Sequence, residues 1–347
     1  CIRDRYLMVI AAYLVCQYLL ATGGMTRSLR GQLVPICVWV VMAVSLNLVV
    51  GVSGELSLGH AGFMSVGAFS GIVASGWMLG AFQLENEVVR LLLSMIVGGV
   101  FAGIAGVLIG IPVLRLRGDY LAIVTLAFGE IIKELVTCLI VGHDENGLHI
   151  LFNLTGNKTV EDLGLSDTGI AIIKGAQGTA SVKTIASFTA GFILVMVTLF
   201  IVLNLKHSRA GRAIMALRDN RIATSSIGIN TTKYKLMAFV TSAALAGAAG
   251  ALYGLNHSSL QAAKFNFNTS ILVLVFVVLG GLGNIWGSLV AAAALTILPE
   301  ALREFADYRM LVYAIVLILV MLATHNPTLQ SFFARLKPGK KEEKEAA

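Results

Sequence analysis

The sequence predicts an all-α polytopic membrane protein with about ten transmembrane helices. Of its 347 residues, 57% are hydrophobic and 13% are Asp, Glu, Lys or Arg, whereas an ordinary soluble domain has roughly 25% charged residues. A membrane-spanning helix needs about 20 mostly apolar residues, so the hydrophobic content suffices for roughly nine or ten spans. This composition excludes a disordered chain, a disulfide scaffold and an ordinary soluble enzyme.

Ten apolar runs define the predicted helices. They lie at residues 6–22, 33–50, 62–80, 89–111, 119–141, 185–205, 236–256, 270–283, 286–300 and 309–324. The eighth and ninth runs are short and glycine-rich, and they predict two spans, one span with a re-entrant segment, or a tight hairpin. We therefore expect one transmembrane domain over residues 1–324, followed by a charged, disordered cytoplasmic tail at 325–347. Because the chain begins with Cys1, we expect further residues before it.

The charge distribution predicts the orientation. If the N-terminus is cytoplasmic, the inner segments hold 16 Lys and Arg residues and the outer segments hold nine. Cytoplasmic loops carry an excess of Lys and Arg, so both termini are predicted to be cytoplasmic. The net charge of +7 then reports orientation and not a nucleic-acid partner.

Two predicted loops are long. An outer loop covers residues 142–184 and is rich in acids and glycine. An inner loop at 206–235 holds seven Lys and Arg residues and one acid, Asp219. This basic inner loop indicates either a docking surface or the positive-inside bias alone.

Motifs for enzyme chemistry are missing from the sequence. There is no G-x-x-x-x-G-K-[ST] phosphate loop, no H-E-x-x-H and no CxxC pair among the four cysteines. The sequence therefore predicts no enzymatic activity, no metal site, no catalytic residue and no cofactor held by this chain.

The stretch from Gly51 to Phe63 interrupts two apolar runs with glycines and polar side chains. Such residues survive at membrane depth only where protein or a water-filled cavity satisfies them, and discontinuous helices recur in transporters. A translocation path is one interpretation, and a short inner loop with an interfacial histidine is the other. The candidate path residues here are Gly54, Glu55, Ser57, Gly59, His60 and Phe63.

A second charged feature lies in the fifth apolar run. Glu130, Lys133 and Glu134 are three or four residues apart, so they share one helix face. Charges inside a span indicate a functional site by default, which makes Glu130 and Lys133 further candidates for the path. The alternative is a structural ion pair that fixes helix packing.

Four stretches together resemble the permease subunit of branched-chain amino-acid ABC importers, the LivM-like family. They are GVSGELSLGHAGF at 51–63, LRLRGDYLAIVTLAFGEIIKEL at 114–135, residues 211–254, and GGLGNIWGSLVAAAALTILPE at 280–300. The resemblance implies an ABC importer permease fold with broken or re-entrant segments, in the inner membrane of a bacterium. It also implies import of branched-chain amino acids into the cytoplasm.

The resemblance implies partners as well. These are a homologous second permease, two ATP-binding cassette subunits that bind the ATP, and an extracytoplasmic substrate-binding protein. The family's ATPase-docking motif, E-A-A-x-x-x-G, corresponds to residues 222–228, where only Ala223 and Gly228 keep the pattern. The implied coupling residues are Gly211, Arg212, Arg218, Asp219, Ala223 and Gly228. Relatives usually carry Gln at the position of Glu55, so the resemblance implies that Glu55→Gln is tolerated.

Other functions fit parts of the pattern. The same architecture carries urea, short amides or other small polar solutes in related permeases. An ion-driven secondary transporter would use Glu55, Glu130, Lys133 and Glu134 as a coupling relay. A membrane enzyme lacks any recognisable nucleophile or metal cluster in this sequence.

Overall fold

The computed structural model describes residues 2–22, 26–82, 84–116, 118–144, 147–153, 161–164, 169–179, 182–301, 314–315 and 318. The described helices are α1 (Ile2–Ala21), α2 (Arg27–Asn47), α3 (His60–Phe82), α4 (Glu87–Val113), α5 (Asp119–Thr137), α6 (Phe188–His207), α7 (Arg209–Asp219), α8 (Arg221–Ser226), α9 (Thr231–Gly254), α10 (Phe267–Gly280) and α11 (Ile285–Ala301). The chain divides into two compact units, Cys1–Ala293 and Ala294–Ala347.

Six helical segments in the described part are long and apolar enough to cross a membrane. They are Ser28–Val52, His60–Gly80, Glu87–Val113, Phe188–His207, Thr231–Gly254 and Ala262–Gly280. Two shorter apolar helices cover Met8–Ala21 and Ile285–Glu300. The predicted polytopic helical class is confirmed, but the described residues do not establish ten spans. The tenth predicted run and the tail at 325–347 lie outside the described residues, apart from positions 314, 315 and 318.

Small residues let α3, α4 and α9 pack closely at the centre of the first unit. A Cβ atom added to Gly67 would lie 2.0 Å from the carbonyl oxygen of Gly247, and one added to Gly250 would lie 2.0 Å from that of Met64. Close backbone contact of this kind is the usual basis of helix association in a membrane. It explains the small-residue sequence of α9 between positions 243 and 250.

The loop predicted at 142–184 contains a small antiparallel sheet. Its strands are β1 (Leu139–Asp144), β2 (Gly147–Phe152) and β3 (Ile170–Lys174), in the order β2-β1-β3. The fifth apolar run was predicted as helix to residue 141, but α5 ends at Thr137 and residues 139–141 belong to β1. The chain is mostly helical as predicted, but the helical prediction for residues 139–141 is wrong, because apolar runs rich in β-branched residues do not distinguish a buried strand from a helix end.

The sheet and the basic loop lie at opposite ends of α6 and α9. The segment before α6 is hydrogen-bonded to the segment after α9, with the amide of Ile185 donating to Leu255 O at 3.2 Å. The other ends of the same two helices are joined by α7 and α8, which occupy most of the loop predicted at 206–235. We call these two sides the sheet end and the α7–α8 end.

The two glycine-rich apolar runs after α9 form a tight pair of helices. A Cβ added to Gly287 would lie 1.7 Å from the carbonyl oxygen of Gly280, and one added to Gly280 would lie 2.3 Å from the amide nitrogen of Ser288. The turn from α10 to α11 needs positive φ angles of 91° at Gly281 and 80° at Gly283. Of the three predicted arrangements, this geometry favours the hairpin.

Candidate functional site

The predicted interruption between two spans is a real break in the helix. α2 continues into a π-helical turn at Leu48–Val52, the chain is non-helical from Ser53 to Gly59, and α3 begins at His60. Within the break, the amide of Glu55 donates to Val49 O at 3.1 Å, and Gly54 has a φ of +75°. Such π-helical turns are frequent at functional sites.

The turn between α10 and α11 packs directly on this break. Asn47 is fully buried, and its Oδ1 accepts a 2.9 Å hydrogen bond from the amide of Gly283 while its Nδ2 donates to Ser288 Oγ at 2.8 Å. A Cβ added to Gly51 would lie 1.8 Å from Asn47 Oδ1 and 2.2 Å from the amide nitrogen of Gly283. The contact therefore requires glycine at position 51.

Two cations of the basic loop also reach the break. Arg218 Nη1 donates a 2.5 Å hydrogen bond to Gly51 O, and Lys206 Nζ donates a 2.9 Å bond to Gly283 O. A Cβ on Gly54 would lie 2.8 Å from Arg218 Cγ, so the arginine side chain also packs on the backbone there. Charge-assisted bonds are among the stronger protein hydrogen bonds, and these two join the α7–α8 end to the broken helix.

Helix α5 closes another side of the break. The amide of Leu58 donates to Thr125 Oγ1 at 3.1 Å, and a Cβ on Gly59 would lie 2.1 Å from Thr125 O. A Cβ on Gly129 would lie 3.1 Å from Gly59 Cα. The four stretches that carry the family resemblance thus meet at one place, although they are far apart in the chain.

His60 is buried inside the helix bundle. The Ser45 hydroxyl donates to Met42 O at 2.9 Å, so its oxygen accepts the 2.8 Å bond from His60 Nε2. The ring of Phe63 meets the rings of His60 and Phe239 edge-on, at centroid distances of 6.4 and 5.4 Å. This burial contradicts the alternative of an interfacial histidine in a short loop.

Ser57 also lies inside the bundle. It is 2% exposed, and its Oγ has no hydrogen-bond partner among the described residues. A buried hydroxyl without a partner is unusual and costs free energy. The assignment of Ser57 to a path remains a prediction.

Glu55 forms an ion pair with Lys235 of α9. The Glu55 and Lys235 side chains are 12% and 8% exposed, so both charges are removed from solvent. Lys235 falls within the predicted basic loop, and its contact with Glu55 could not be predicted because the partners are 180 positions apart. The available signal was a single acid, Glu55, in the interruption and two lysines, Lys233 and Lys235, at the start of an apolar helix.

This ion pair changes the expectation for Glu55→Gln. Removing one charge of a buried pair leaves the other uncompensated, which typically costs about 3–5 kcal/mol, although a Gln amide oxygen recovers part of that by accepting from the ammonium. We expect Glu55→Gln to lower the apparent melting temperature of the purified protein. The double variant Glu55→Gln/Lys235→Met should recover most of the loss, since no buried charge is left. A melting temperature in Glu55→Gln equal to wild type would show that the pair is not needed.

Glu130, Lys133 and Glu134 do come together, as their spacing predicts. Lys133 Nζ lies 2.5 Å from Glu130 Oε2 and 3.2 Å from Glu134 Oε1, while Glu130 Oε1 accepts a 3.0 Å bond from the amide of Phe267 at the start of α10. Because α5 ends at Thr137, all three lie in its last two turns, toward the sheet end, and Glu134 is 65% exposed. The geometry favours a packing and capping role.

The predicted coupling residues occupy α7, α8 and the turns beside them. Gly211 lies in the first turn of α7, packed against the end of α6, where a Cβ would lie 2.1 Å from Leu205 O. Arg212 Nη1 donates to His207 O at 3.3 Å and Ala223 N donates to Asn220 Oδ1 at 3.0 Å, so both contacts are local. Of the predicted coupling residues, Arg218 contacts the break directly, and Asp219 is the last residue of α7.

Helix α8 is exposed and partly apolar. Ile222 and Ile227 are 79% and 76% exposed. Gly228 has a φ of +84°, and a Cβ there would meet no atom within 4 Å. Thr224 Oγ1 donates to Ala216 O at 2.9 Å, which holds α8 on α7.

The fold and this break define a class, the multi-pass membrane proteins with a discontinuous helix, a form that many transporters share. A sequence model of the family described as "Branched-chain amino acid transport system / permease component" matches residues 29–321. The chain belongs to this family.

Individual relatives agree with this assignment. The chain is 36% identical over 294 residues to the high-affinity branched-chain amino acid transport system permease protein LivM of Escherichia coli K12, covering 82% of this chain and 66% of LivM. Similarity to the permease protein LivH of the same strain is 33% identity over 132 residues, covering 37% of this chain and 41% of LivH. The ribose import permease protein RbsC of Haemophilus influenzae is 32% identical over 127 residues, covering 34% of this chain and 39% of RbsC. No solved structure matches the chain.

Proposed function

We propose that this chain is the membrane-spanning permease subunit of an ATP-binding-cassette importer that moves branched-chain amino acids into the bacterial cytoplasm. The family and the similarity to LivM support this proposal. The observation that carries it is the pair of contacts from the basic loop to the broken helix, Arg218 to Gly51 and Lys206 to Gly283.

In this proposal the α7–α8 end faces the cytoplasm, together with both termini, and the sheet end faces outward. The excess of Lys and Arg at the α7–α8 end supports that orientation. The partners are a homologous second permease, two ATP-binding cassette subunits that bind the ATP, and an extracytoplasmic binding protein. The relative LivH is itself named as a permease of a branched-chain amino acid system, which supports a paired permease.

The ATPases would contact the exposed surface of α8. Ile222 precedes Ala223 directly, and Ile227 follows it by four residues; both isoleucines are exposed. Clustered apolar side chains on a surface mark interaction sites. A movement of α8 would pass to α7 through Thr224, and from α7 to the break through Arg218. The two access states would be biased by partners that contact them differently. The path would then run past the polar residues of the break.

Uptake by the assembled complex tests the proposal. Proteoliposomes that contain both permeases and the ATPases should import labelled leucine only when the binding protein and internal ATP are supplied. Urea and ribose, tested with the same complex, should not be imported. Leucine uptake by this chain alone under a proton gradient would overturn the proposal in favour of a secondary transporter. No described contact favours that alternative, since Glu130 already binds Lys133 and caps α10.

A bulky side chain in place of Gly228 should weaken the proposed contact with the ATPase subunit. We expect Gly228→Trp to lower leucine import at least about fivefold. The side chain would meet open space in this chain, and the backbone strain at a φ of +84°, about 1–2 kcal/mol, should still allow the permease to fold. Gly228→Asn is the matched control, since Asn tolerates positive φ and is small. Import should be measured together with size-exclusion profiles. If the Trp and Asn variants import leucine equally well, position 228 is not part of the ATPase contact.

A further inference from the structure

At the sheet end, α3, α4 and β3 surround a cavity of about 540 Å³ that the proposed mechanism does not use. Part of its wall is apolar and includes Ile72, Ile172 and Val182. Ile72 is 1% exposed and Ile172 is 8% exposed, so this wall is firmly packed. The volume exceeds that of a single amino-acid side chain several times over, and falls in the usual range for small-molecule sites.

The polar part of the wall contains a buried arginine with two guanidinium nitrogens that have no hydrogen-bond partner among the described residues. Arg90 lines the cavity from the first turn of α4 and is 1% exposed. Its Nε and Nη1 atoms form no hydrogen bond with any described residue. Burying a charge without a partner is costly, and such groups normally pair with an opposite charge. The guanidinium therefore offers two donors to an anion, and no carboxylate of the described residues is hydrogen-bonded to them.

The rest of the polar wall is also basic. Lys174, Lys183 and His143 line the cavity, and no carboxylate is among the described lining residues. Glu87, three residues before Arg90 in α4, forms a 2.9 Å ion pair with the lining residue Lys183. Both partners are at least half exposed, which places the pair at the mouth. The His143 ring lies against Gly80, where a Cβ would be 2.2 Å from Cε1, so the ring is held in place.

We propose that this cavity binds the carboxylate of a small apolar carboxylic acid, with Arg90 as the anion-binding residue. A guanidinium fork matches a carboxylate in a bidentate geometry, which is the strong form of this contact. The apolar wall fits a branched hydrocarbon tail, and a ligand ammonium group would stay at the mouth beside Glu87. The ligand could be the imported amino acid itself, held near the outer side before translocation. Only this identification rests on the proposed function.

Ligand-dependent melting of the purified complex in nanodiscs tests the site. We expect 4-methylpentanoate at millimolar concentration to raise the apparent melting temperature, and the neutral isostere 4-methylpentanamide to have no effect. Arg90→Met should raise the half-maximal carboxylate concentration at least about tenfold, since a charge-assisted contact is lost. The half-maximal concentration for Arg90→Lys should lie between those of wild type and Arg90→Met, because lysine keeps the positive charge but loses the bidentate geometry of the guanidinium. Lys264→Gln is the matched control, because it removes an exposed positive charge at the same end of the protein and outside the cavity lining. Its half-maximal carboxylate concentration should equal that of wild type.

The melting temperature without ligand separates binding from a structural role. Removing an unpaired buried charge should leave the ligand-free Arg90→Met protein as stable as wild type or more stable. A large loss of stability would overturn the proposal and make Arg90 a structural residue. Equal effects of the acid and the amide, or an unchanged carboxylate response in Arg90→Met, would also overturn it. A further contrary outcome is a rise in melting temperature that depends on Arg90 and on the binding protein but occurs without the free acid. The anion at Arg90 would then be an acidic side chain of the partner, and the proposal would be overturned.

Leucine uptake separates this site from the proposed function. If the complex binds 4-methylpentanoate through Arg90 but does not import leucine, the carboxylate site stands and the proposed cargo is wrong. If leucine import is normal but the carboxylate effect is absent, the site is wrong and the proposed function stands. If the complex shows both the carboxylate effect and leucine import, Arg90→Met should raise the KM for leucine import.

Discussion

Gly51→Ala should prevent this permease from folding stably. The added Cβ would lie 1.8 Å from Asn47 Oδ1 and 2.2 and 2.7 Å from the backbone of Gly283, so both the broken helix and the α10–α11 turn would have to shift. Overpacking alone typically costs about 1–3 kcal/mol. The displaced Asn47 would also lose its bonds to Gly283 and Ser288, at about 0.5–1.5 kcal/mol each.

Together these losses predict an apparent melting temperature lower by about 5 °C or more, or no folded protein after extraction. Gly31→Ala is the matched control, because a Cβ at position 31 of α2 meets no atom within 4 Å. Alanine favours a helix over glycine by about 0.5–1 kcal/mol, so this control should melt at the wild-type temperature or above it. Similar melting curves for the two variants would show that the contact between Gly51 and Gly283 is not needed.

Arg218→Met should uncouple ATP hydrolysis from transport. Arg218 makes a 2.5 Å hydrogen bond to Gly51 O and packs on Gly54, so it is a direct contact between α7 and the break. Hydrogen bonds to charged groups are worth about 1.5–3 kcal/mol. We expect leucine import by the assembled complex to fall about tenfold or more, while the ATPase activity of the complex remains within about twofold of wild type.

Arg209→Gln is the matched control for Arg218→Met. Arg209 is an exposed cation at the start of the same helix and forms no hydrogen bond or ion pair with the described residues of the break, so its loss should leave both import and ATPase activity near wild type. A parallel fall of import and ATPase activity in Arg218→Met would indicate failed assembly. Unchanged import would show that the bond to Gly51 does not transmit movement. Lys206→Met removes the neighbouring bond to Gly283 and should give a similar but smaller uncoupling.

Much of the architecture could be predicted from the sequence because its signals are local. Long apolar runs predicted the membrane class, and glycines and polar residues at 51–63 predicted the broken helix. The same approach failed at residues 139–141, where an apolar run continues from a helix into a strand. It also placed Glu130 and Lys133 deeper in a span than they lie, because the end of α5 was set too late.

The partners of the site residues needed the tertiary structure. Glu55 is an isolated acid in the sequence, and its pairing with Lys235 depends on how α9 packs against the break. The predicted coupling set included Arg218 from family resemblance, but its target, Gly51 O, lies 167 positions away. Asn47 and Arg90 were not singled out, because a buried polar residue in an apolar run carries no sign of what it contacts. Lys206 was one of seven cations in the basic loop, and the sequence does not show which of them reaches the α10–α11 turn.

The amino-acid pattern was enough to predict a multi-pass membrane chain with a broken helix and a basic connecting element. Composition, periodicity and helix-breaking residues act over a few turns, so they can be recognised without the fold. The folded chain was needed to show that the break, α5, α7 and the α10–α11 turn meet at Gly51 and Gly59, and that Arg90 lines a cavity. Those contacts join residues that are far apart in the chain, and they arise from close packing at glycines that lets distant backbones touch.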